Sequence, residues 1–179
     1  MSGREWRIAL IAGTGAIVLL IVLAALAVGL GTFDVAADRP DGALTRHIFA
    51  FARERAIDAR AEGIKAPKLD TPERVAEGAE HYSAMCTGCH LAPGMAENEM
   101  RPGLNPKPPL LAALPPEDPA EQFWIVKHGI KMTGMPAWGL THSDEEIWNI
   151  VAFLQKLPKL TPAQYRALTA HAHHHEMSE

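Results

Sequence analysis

Cys86-Thr87-Gly88-Cys89-His90 is the stretch of this 179-residue sequence that decides the fold. Two thiols separated by two residues and followed at once by an imidazole form the pattern at which haem is attached covalently. The thiols are spaced to form thioether bonds with the two vinyl groups of one porphyrin, and His90 is placed to present a ring nitrogen to the iron. The motif therefore predicts one covalently bound haem c, with Cys86, Cys89 and His90 in its attachment site.

Other uses of a Cys-x-x-Cys pair fit this chain less well. A thioredoxin-like redox pair requires a βαβ pattern around it, which the sequence does not show. A zinc site would have to recruit His90 or distant histidines, because Cys86 and Cys89 are the only cysteines. A disulfide between residues so close would stabilise little. Covalent haem remains the favoured interpretation.

The second informative segment lies far downstream, at residues 130–139, which we call the methionine loop. It reads Ile-Lys-Met-Thr-Gly-Met-Pro-Ala-Trp-Gly and places Met135 between a glycine and a proline. Pro136 disfavours helical backbone at Met135 and lacks an amide donor, so the loop should be extended and stiff. Such a loop can hold a thioether sulfur at a fixed distance from iron.

Together, these two segments resemble the class I (monohaem) cytochromes c. The resemblance implies an all-α fold, with three to five helices around one haem, and it implies His90 and Met135 as the two axial ligands of the iron. Met132 is the close competitor for the second position, and Pro136 favours Met135 over it.

A transmembrane segment is predicted at the N-terminus, within residues 1–31. The 23 residues from Ile8 to Leu30 carry no charge, and as a helix they span roughly the hydrocarbon core of a bilayer. Arg4 and Arg7 precede the run and acidic residues follow it, so the positive-inside rule places the N-terminus in the cytoplasm. We expect an uncleaved single-pass anchor in the inner (cytoplasmic) membrane with the haem domain in the periplasm. A cleaved signal peptide is the rival interpretation, since Ala25-Leu26-Ala27 has the form of a cleavage site.

Residues 32–70 are predicted to form a periplasmic amphipathic spacer helix and a linker. The helix should run from Leu44 to Ile64, where apolar residues recur at three- and four-residue spacing among arginines and carboxylates. It is either a solvated spacer or a segment that lies near the membrane surface or docks on a partner subunit.

The cytochrome c domain is predicted at residues 71–160, with three helices defined by caps. Thr71 and Pro72 start a helix that reaches about Met85, and Pro119 to His128 form a second helix with Gly129 as its C-cap. Ser143 opens a third helix with a capping box, followed by an apolar stripe that ends before Pro158. We expect this helix to cross the first one near Gly78, Tyr82 and Trp148, and some of residues 123–126 to pack on the porphyrin.

Smaller predictions concern the loops and the C-terminus. The proline-rich loop 101–109 should wrap the haem edge. By the resemblance, a proline carbonyl accepts a hydrogen bond from His90, with Pro102 the first candidate and Pro93 the second. Arg101 and Trp138 are candidates for binding the haem propionates. Residues 161–179 should form a short helix and a His-rich tail, either a copper, nickel or zinc site or a disordered polar tail.

These features predict one-electron transfer rather than catalysis by this chain, with no catalytic residue assigned. The expected partners are redox proteins of unknown identity and the membrane, and nothing indicates nucleic-acid binding. Lys127 and Lys131 form a thin basic rim that could orient such a partner. Two alternatives stay open. One is a cytochrome subunit of a dehydrogenase or oxidase complex, and the other is a haem enzyme acting on peroxide, nitric oxide or oxygen.

Overall fold

The computed structural model describes residues 2–32 and 34–170. Within these residues the protein is entirely helical and contains no strand, as the sequence predicted. The chain divides into two compact units, Met1–Ala36 and Ala37–Glu179.

The first unit consists of helix α1, Gly3–Gly29. Its N-terminus is closed by a capping box, in which the Glu5 carboxylate accepts a hydrogen bond from the Ser2 amide at 2.7 Å and the Ser2 hydroxyl accepts one from the Glu5 amide at 3.4 Å. No side chain of α1 is buried, although nearly all of them are apolar. At 1.5 Å per residue, its 27 residues span about 40 Å, and the helix is long and apolar enough to cross a membrane.

The second unit begins with α2, Ala43–Ala61, which ends three residues before the predicted Ile64. Gly63 has a φ of 85° and allows the chain to turn there without a Cβ clash. The C-terminal half of α2 packs on α5, Pro119–His128, and buries Ile57 and Ala61. The Arg60 guanidinium lies 6.0 Å from the centre of the Trp124 ring. This end of α2 is therefore docked on the helices that follow and is not a solvated spacer.

The core of the second unit is the crossing of α3, Pro72–Met85, with α6, Asp144–Leu154. Gly78 lies at the contact, where a Cβ would overlap the Asn149 carbonyl oxygen and would come within 2.9 Å of the Phe153 Cβ. Tyr82 and Phe153 are fully buried, and their ring centres are 5.2 Å apart. The glycine therefore permits the close backbone approach that the sequence predicted.

The helix boundaries follow the predicted caps closely. The Thr71 hydroxyl accepts from the Arg74 amide and Ser143 forms the capping box with Glu146, while α5 ends at Gly129 with a φ of 63°. One boundary differs, because α6 ends at Leu154, and residues 157–159 form a separate 3-10 turn in which Leu157 is still buried. Helix α7, Pro162–Thr169, then packs against α3.

Some of residues 123–126 were expected to pack on the porphyrin, and this stays a prediction. The structure places Phe123 and Val126 in the core, and the Phe123 ring stacks on Trp148 with 4.1 Å between centres. Their burial stabilises the α5–α6 contact on which the site rests.

Candidate haem site

The attachment motif occupies a single turn at the end of α3. The short helix α4, Thr87–His90, continues from α3 through Cys86, whose carbonyl accepts the amides of Cys89 at 3.1 Å and His90 at 2.8 Å. The Thr87 hydroxyl donates to the Ser83 carbonyl at 2.8 Å and ties the turn to α3. Both thiols and the imidazole are thus presented by one rigid segment.

These side chains line a cleft of about 330 Å³ that is open to solvent. The same cleft is lined by residues of the methionine loop and of the proline-rich loop. Its lining residues are Met85, Cys86, Cys89, His90, Pro108, Gly134, Met135, Pro136 and Trp138. The fold therefore brings together three segments, of which the attachment turn and the methionine loop lie more than forty residues apart in the sequence.

The orientation of His90 is set by the proline-rich loop. Its Nδ1 lies 2.9 Å from the Pro109 carbonyl oxygen, so Nδ1 carries the proton and donates, which leaves the Nε2 lone pair for a ligand bond. Burial lowers the pKa of His90, while the bond to Pro109 acts in the opposite direction. The predicted acceptors, Pro102 and Pro93, were wrong. Loop 101–109 reaches His90 at Pro109, seven residues after Pro102.

Arg101 holds this arrangement together from inside the domain. Only 5% of the residue is exposed, and its guanidinium donates to the carbonyls of Cys89 at 3.1 Å and Pro108 at 2.7 Å. A third donor binds the Glu97 carboxylate at 2.7 Å. Arg101 thus joins the attachment turn to the residue next to Pro109. The predicted role of Arg101 in binding propionates stays a prediction; in the structure three donors of its guanidinium are engaged with the protein itself.

Glu97 has a second cationic partner at the surface. Lys107 lies 2.6 Å from the same carboxylate, and hydrogen bonds from Lys107 and Arg101 lower the pKa of Glu97. The carboxylate is therefore charged at neutral pH and balances the buried guanidinium.

The methionine loop is fixed by its own hydrogen bonds and by Gly129. The Thr133 hydroxyl donates to the Ile130 carbonyl at 2.7 Å and accepts from the Met135 amide at 3.1 Å, and the Ile130 amide donates to the Met135 carbonyl at 3.2 Å. A Cβ at Gly129 would lie 2.6 Å from the Pro136 carbonyl carbon, so the end of α5 packs directly on this loop.

The two candidate methionines are placed very differently. Met135 is half-buried, lines the cleft and packs against the core. Met132 is 90% exposed, has a positive φ of 59° and is not among the residues that line the cleft. Of the two candidates, the structure therefore places Met135 and not Met132 on the cleft.

The residues of the cleft fit a covalently attached haem. Both cysteines are free thiols, half-buried on the same turn, and burial followed by the proximity of Cys89 raises the pKa of the Cys86 thiol to about 12. Because zinc is bound by thiolates, the raised pKa of Cys86 argues against a zinc site. Two free thiols and an imidazole on one turn match the attachment pattern of a haem. Within residues 2–32 and 34–170, no group of three or more His, Cys, Asp or Glu side chains is placed to hold a metal ion.

The remaining predicted residues are placed as follows. Trp138 lines the cleft, Lys131 is exposed, and Lys127 pairs with Asp144 at 2.6 Å, so the predicted basic rim is partly neutralised. The rings of His81 and His142 are 5.5 Å apart, a contact that the sequence did not reveal. Residues 171–179, with the four clustered histidines of the tail, lie outside the described residues.

Two structural contacts of the site were not predicted. The buried Tyr82 hydroxyl donates to the Leu91 carbonyl at 2.7 Å, where Leu91 has a φ of 56°, and thereby closes the turn after His90. The other is the engagement of Arg101 with two carbonyls. Neither has a local sequence signal, because each joins residues whose proximity depends on the fold.

The described helical domain brings the attachment turn and the methionine loop to one cleft, as a covalently attached haem requires. Residues 73–154 match the family model described as cytochrome c oxidase, cbb3-type, subunit III. Residues 73–154 are therefore a domain of the cytochrome c family. Comparison with curated proteins and with solved structures gives no match for this chain.

Proposed function

We propose that this protein is a membrane-tethered, periplasmic electron carrier with one haem c, attached through Cys86 and Cys89 and ligated by His90 and Met135. The observation that carries the proposal is the single cleft lined by all four of these residues. When bound, the haem supplies one-electron exchange at its iron, and ligation by histidine and methionine raises the reduction potential.

The protein contributes rigidity to this exchange. The Pro109 carbonyl fixes the ring of His90, and Arg101 fixes the loop that carries the carbonyl. The Thr133 hydroxyl and the α5 C-cap fix the backbone of Met135. Because both ligands are held before and after electron transfer, the domain needs little rearrangement between redox states.

The tether rests on α1. The helix is long and apolar enough to span a bilayer, and Arg4 and Arg7 lie at its N-terminal end, which favours a cytoplasmic N-terminus. The haem domain then lies on the periplasmic side of the inner membrane. A tether raises the local concentration of the domain near membrane partners without altering its chemistry.

A second candidate function is that of a cytochrome subunit in an oxidase or dehydrogenase complex. The observation in its favour is the match to a family described as a subunit of an oxidase. It differs from the first candidate in the partner and not in the chemistry of the site.

Optical spectra of purified full-length protein test the proposal. Ferric wild type should show the weak far-red band of methionine ligation, and ferrous wild type should not bind carbon monoxide. Met135→Ala should lose the band and bind carbon monoxide, whereas the matched variant Met132→Ala should behave as wild type. Loss of the band in Met132→Ala alone would show that the ligand assignment is wrong. Carbon monoxide binding by the wild type would instead favour an enzyme with an open iron site.

A further inference from the structure

The N-terminal half of α2 presents large apolar side chains to solvent. Leu44, Ile48, Phe49 and Phe51 are 74%, 57%, 60% and 67% exposed, and Ala52 is exposed beside them. We call these five residues the apolar arc. Four large exposed apolar side chains within eight residues form a contiguous patch, and such patches mark interaction surfaces.

The apolar arc points away from the domain core. Successive residues of an α-helix are rotated by about 100°, which places the five residues within one side of the helix. Ile57 and Ala61, which are buried in the contact with α5, project from the opposite side. Because α2 is anchored by that contact, the apolar arc is held outward and is not an unfolded part of the core.

We propose that the apolar arc lies in the interface of the lipid bilayer, so that α2 forms a second, peripheral membrane contact of the haem domain. The inference rests on the tether described under the proposed function. Thirteen residues connect Gly29, at the end of α1, with Ala43, at the start of α2. At about 3.5 Å per residue, this connection spans at most about 45 Å, so α2 stays within reach of the bilayer surface.

The charge of α2 favours a lipid surface over other occupants. The helix carries four arginines (residues 46, 53, 55 and 60) against Glu54 and Asp58, so its net charge is positive in a chain whose net charge is −4. Arg53 and Arg55 lie beside the apolar arc, whereas Arg46 lies on the other side of α2 and Arg60 lies against Trp124. Cationic residues beside an apolar face are typical of helices that lie in the headgroup region of anionic membranes. A tethered helix also meets the lipid at a high effective concentration, so a modest affinity suffices to keep it there.

Spin labelling of the full-length holoprotein tests this contact. In holoprotein the thioether bonds occupy both native cysteines, so an introduced cysteine is the one thiol available to the label. Ile48→Cys places the label on the apolar arc, and Arg46→Cys places it on the opposite side of α2 at nearly the same height. Both proteins are placed in nanodiscs of phosphatidylglycerol and phosphatidylethanolamine with the haem reduced. The accessibility of each label to oxygen and to a water-soluble nickel chelate is then measured.

The proposal expects the label at residue 48 to be accessible to oxygen and shielded from the nickel chelate. The label at residue 46 should be more accessible to the nickel chelate and less accessible to oxygen. Equal exposure of both labels to the nickel chelate would overturn it. Shielding of residue 48 from both reagents would also overturn it and would indicate a protein surface. Dipolar broadening between labels would then identify that surface as a second copy of this chain.

Failure of the proposed function has a different signature in this experiment. Without thioether bonds the native cysteines would also react, and the protein would take up three labels. If α1 were not a transmembrane anchor, the Ile48→Asp protein would dissociate from the nanodisc, because the substitution disrupts the apolar arc. With the anchor, Ile48→Asp stays in the disc, and a label at Ala52→Cys in that variant moves into water.

Discussion

Replacement of Arg101 by leucine should loosen the haem site from inside the domain. The guanidinium holds three partners, the Cys89 and Pro108 carbonyls and the Glu97 carboxylate, and it is almost completely buried. Arg101→Leu retains an apolar side chain of moderate size but removes every donor. The attachment turn and the loop that orients His90 then lose their direct link.

The size of the effect follows from which partners are left without a donor. Glu97 keeps Lys107 at 2.6 Å, and this surface pair is about half exposed, so the carboxylate is not stranded. Two carbonyls lose charge-assisted hydrogen bonds, which contribute about 1.5–3 kcal/mol each in proteins. We therefore expect a loss of about 3 kcal/mol in the free energy of unfolding. For a domain of this size, that corresponds to a fall in Tm of roughly 15 °C.

Thermal unfolding followed at the haem absorption band measures this loss, with Lys107→Gln as the matched control. The control removes the exposed partner of the same carboxylate and should cost less than about 1 kcal/mol. Arg101→Lys should lie between wild type and Arg101→Leu, because one ammonium group cannot reproduce the fork of a guanidinium.

The reduction potential gives a second measurement that a merely structural role would not change. A weaker bond from His90 to Pro109 lowers the basicity of the imidazole and disfavours the ferric state, so the potential of Arg101→Leu should rise. If Arg101→Leu matched Lys107→Gln in both stability and potential, the role assigned to Arg101 would be refuted.

Three further substitutions test other contacts of the domain. Thr133→Val should weaken the far-red ferric band because it removes the hydroxyl that fixes the methionine loop, whereas Thr133→Ser should keep the band. Gly78→Ala should lower the free energy of unfolding by about 2 kcal/mol or more, because the new Cβ would overlap the backbone of α6. Gly103→Ala is the control, because a Cβ there meets nothing within 4 Å, and its stability should change little. Chemical denaturation measures both. Ser143→Ala should cost about 1 kcal/mol at neutral pH. The capping box lowers the pKa of its glutamate, so the part of this stabilisation that comes from the carboxylate is present above the ordinary carboxyl pKa and is lost as the pH falls through the lowered value. The difference between wild type and Ser143→Ala should therefore narrow in acid. The bond from the Glu146 amide to the Ser143 hydroxyl does not titrate and remains. A difference that is the same at every pH would contradict the role of the carboxylate in the box.

Local signals in the sequence predicted the elements of the domain well. The cap at Thr71 and Pro72, the C-cap at Gly129 and the capping box at Ser143 each act within four residues, and the structure confirms all three. The proline after Met135 is a signal of the same kind, since it restricts its neighbour directly.

Contacts between distant segments could not be predicted in this way. The choice of Pro109 over Pro102 depends on how far loop 101–109 travels before it passes His90. The docking of α2 on α5 likewise depends on the position of both helices, because the apolar residues of α2 are compatible with a core, a membrane or a partner. The sequence offered Arg101 only as a candidate for the haem propionates, and the fold revealed the partners that allow its burial.

The mass of the intact, denatured polypeptide tests the central claim most directly. Full-length protein from cells competent in cytochrome maturation should carry the added mass of one haem, and the variant Cys86→Ser/Cys89→Ser should carry none. A wild-type chain with the mass of the polypeptide alone, or a pigment that acidified acetone removes, would contradict the claim that this cleft holds a covalently attached haem.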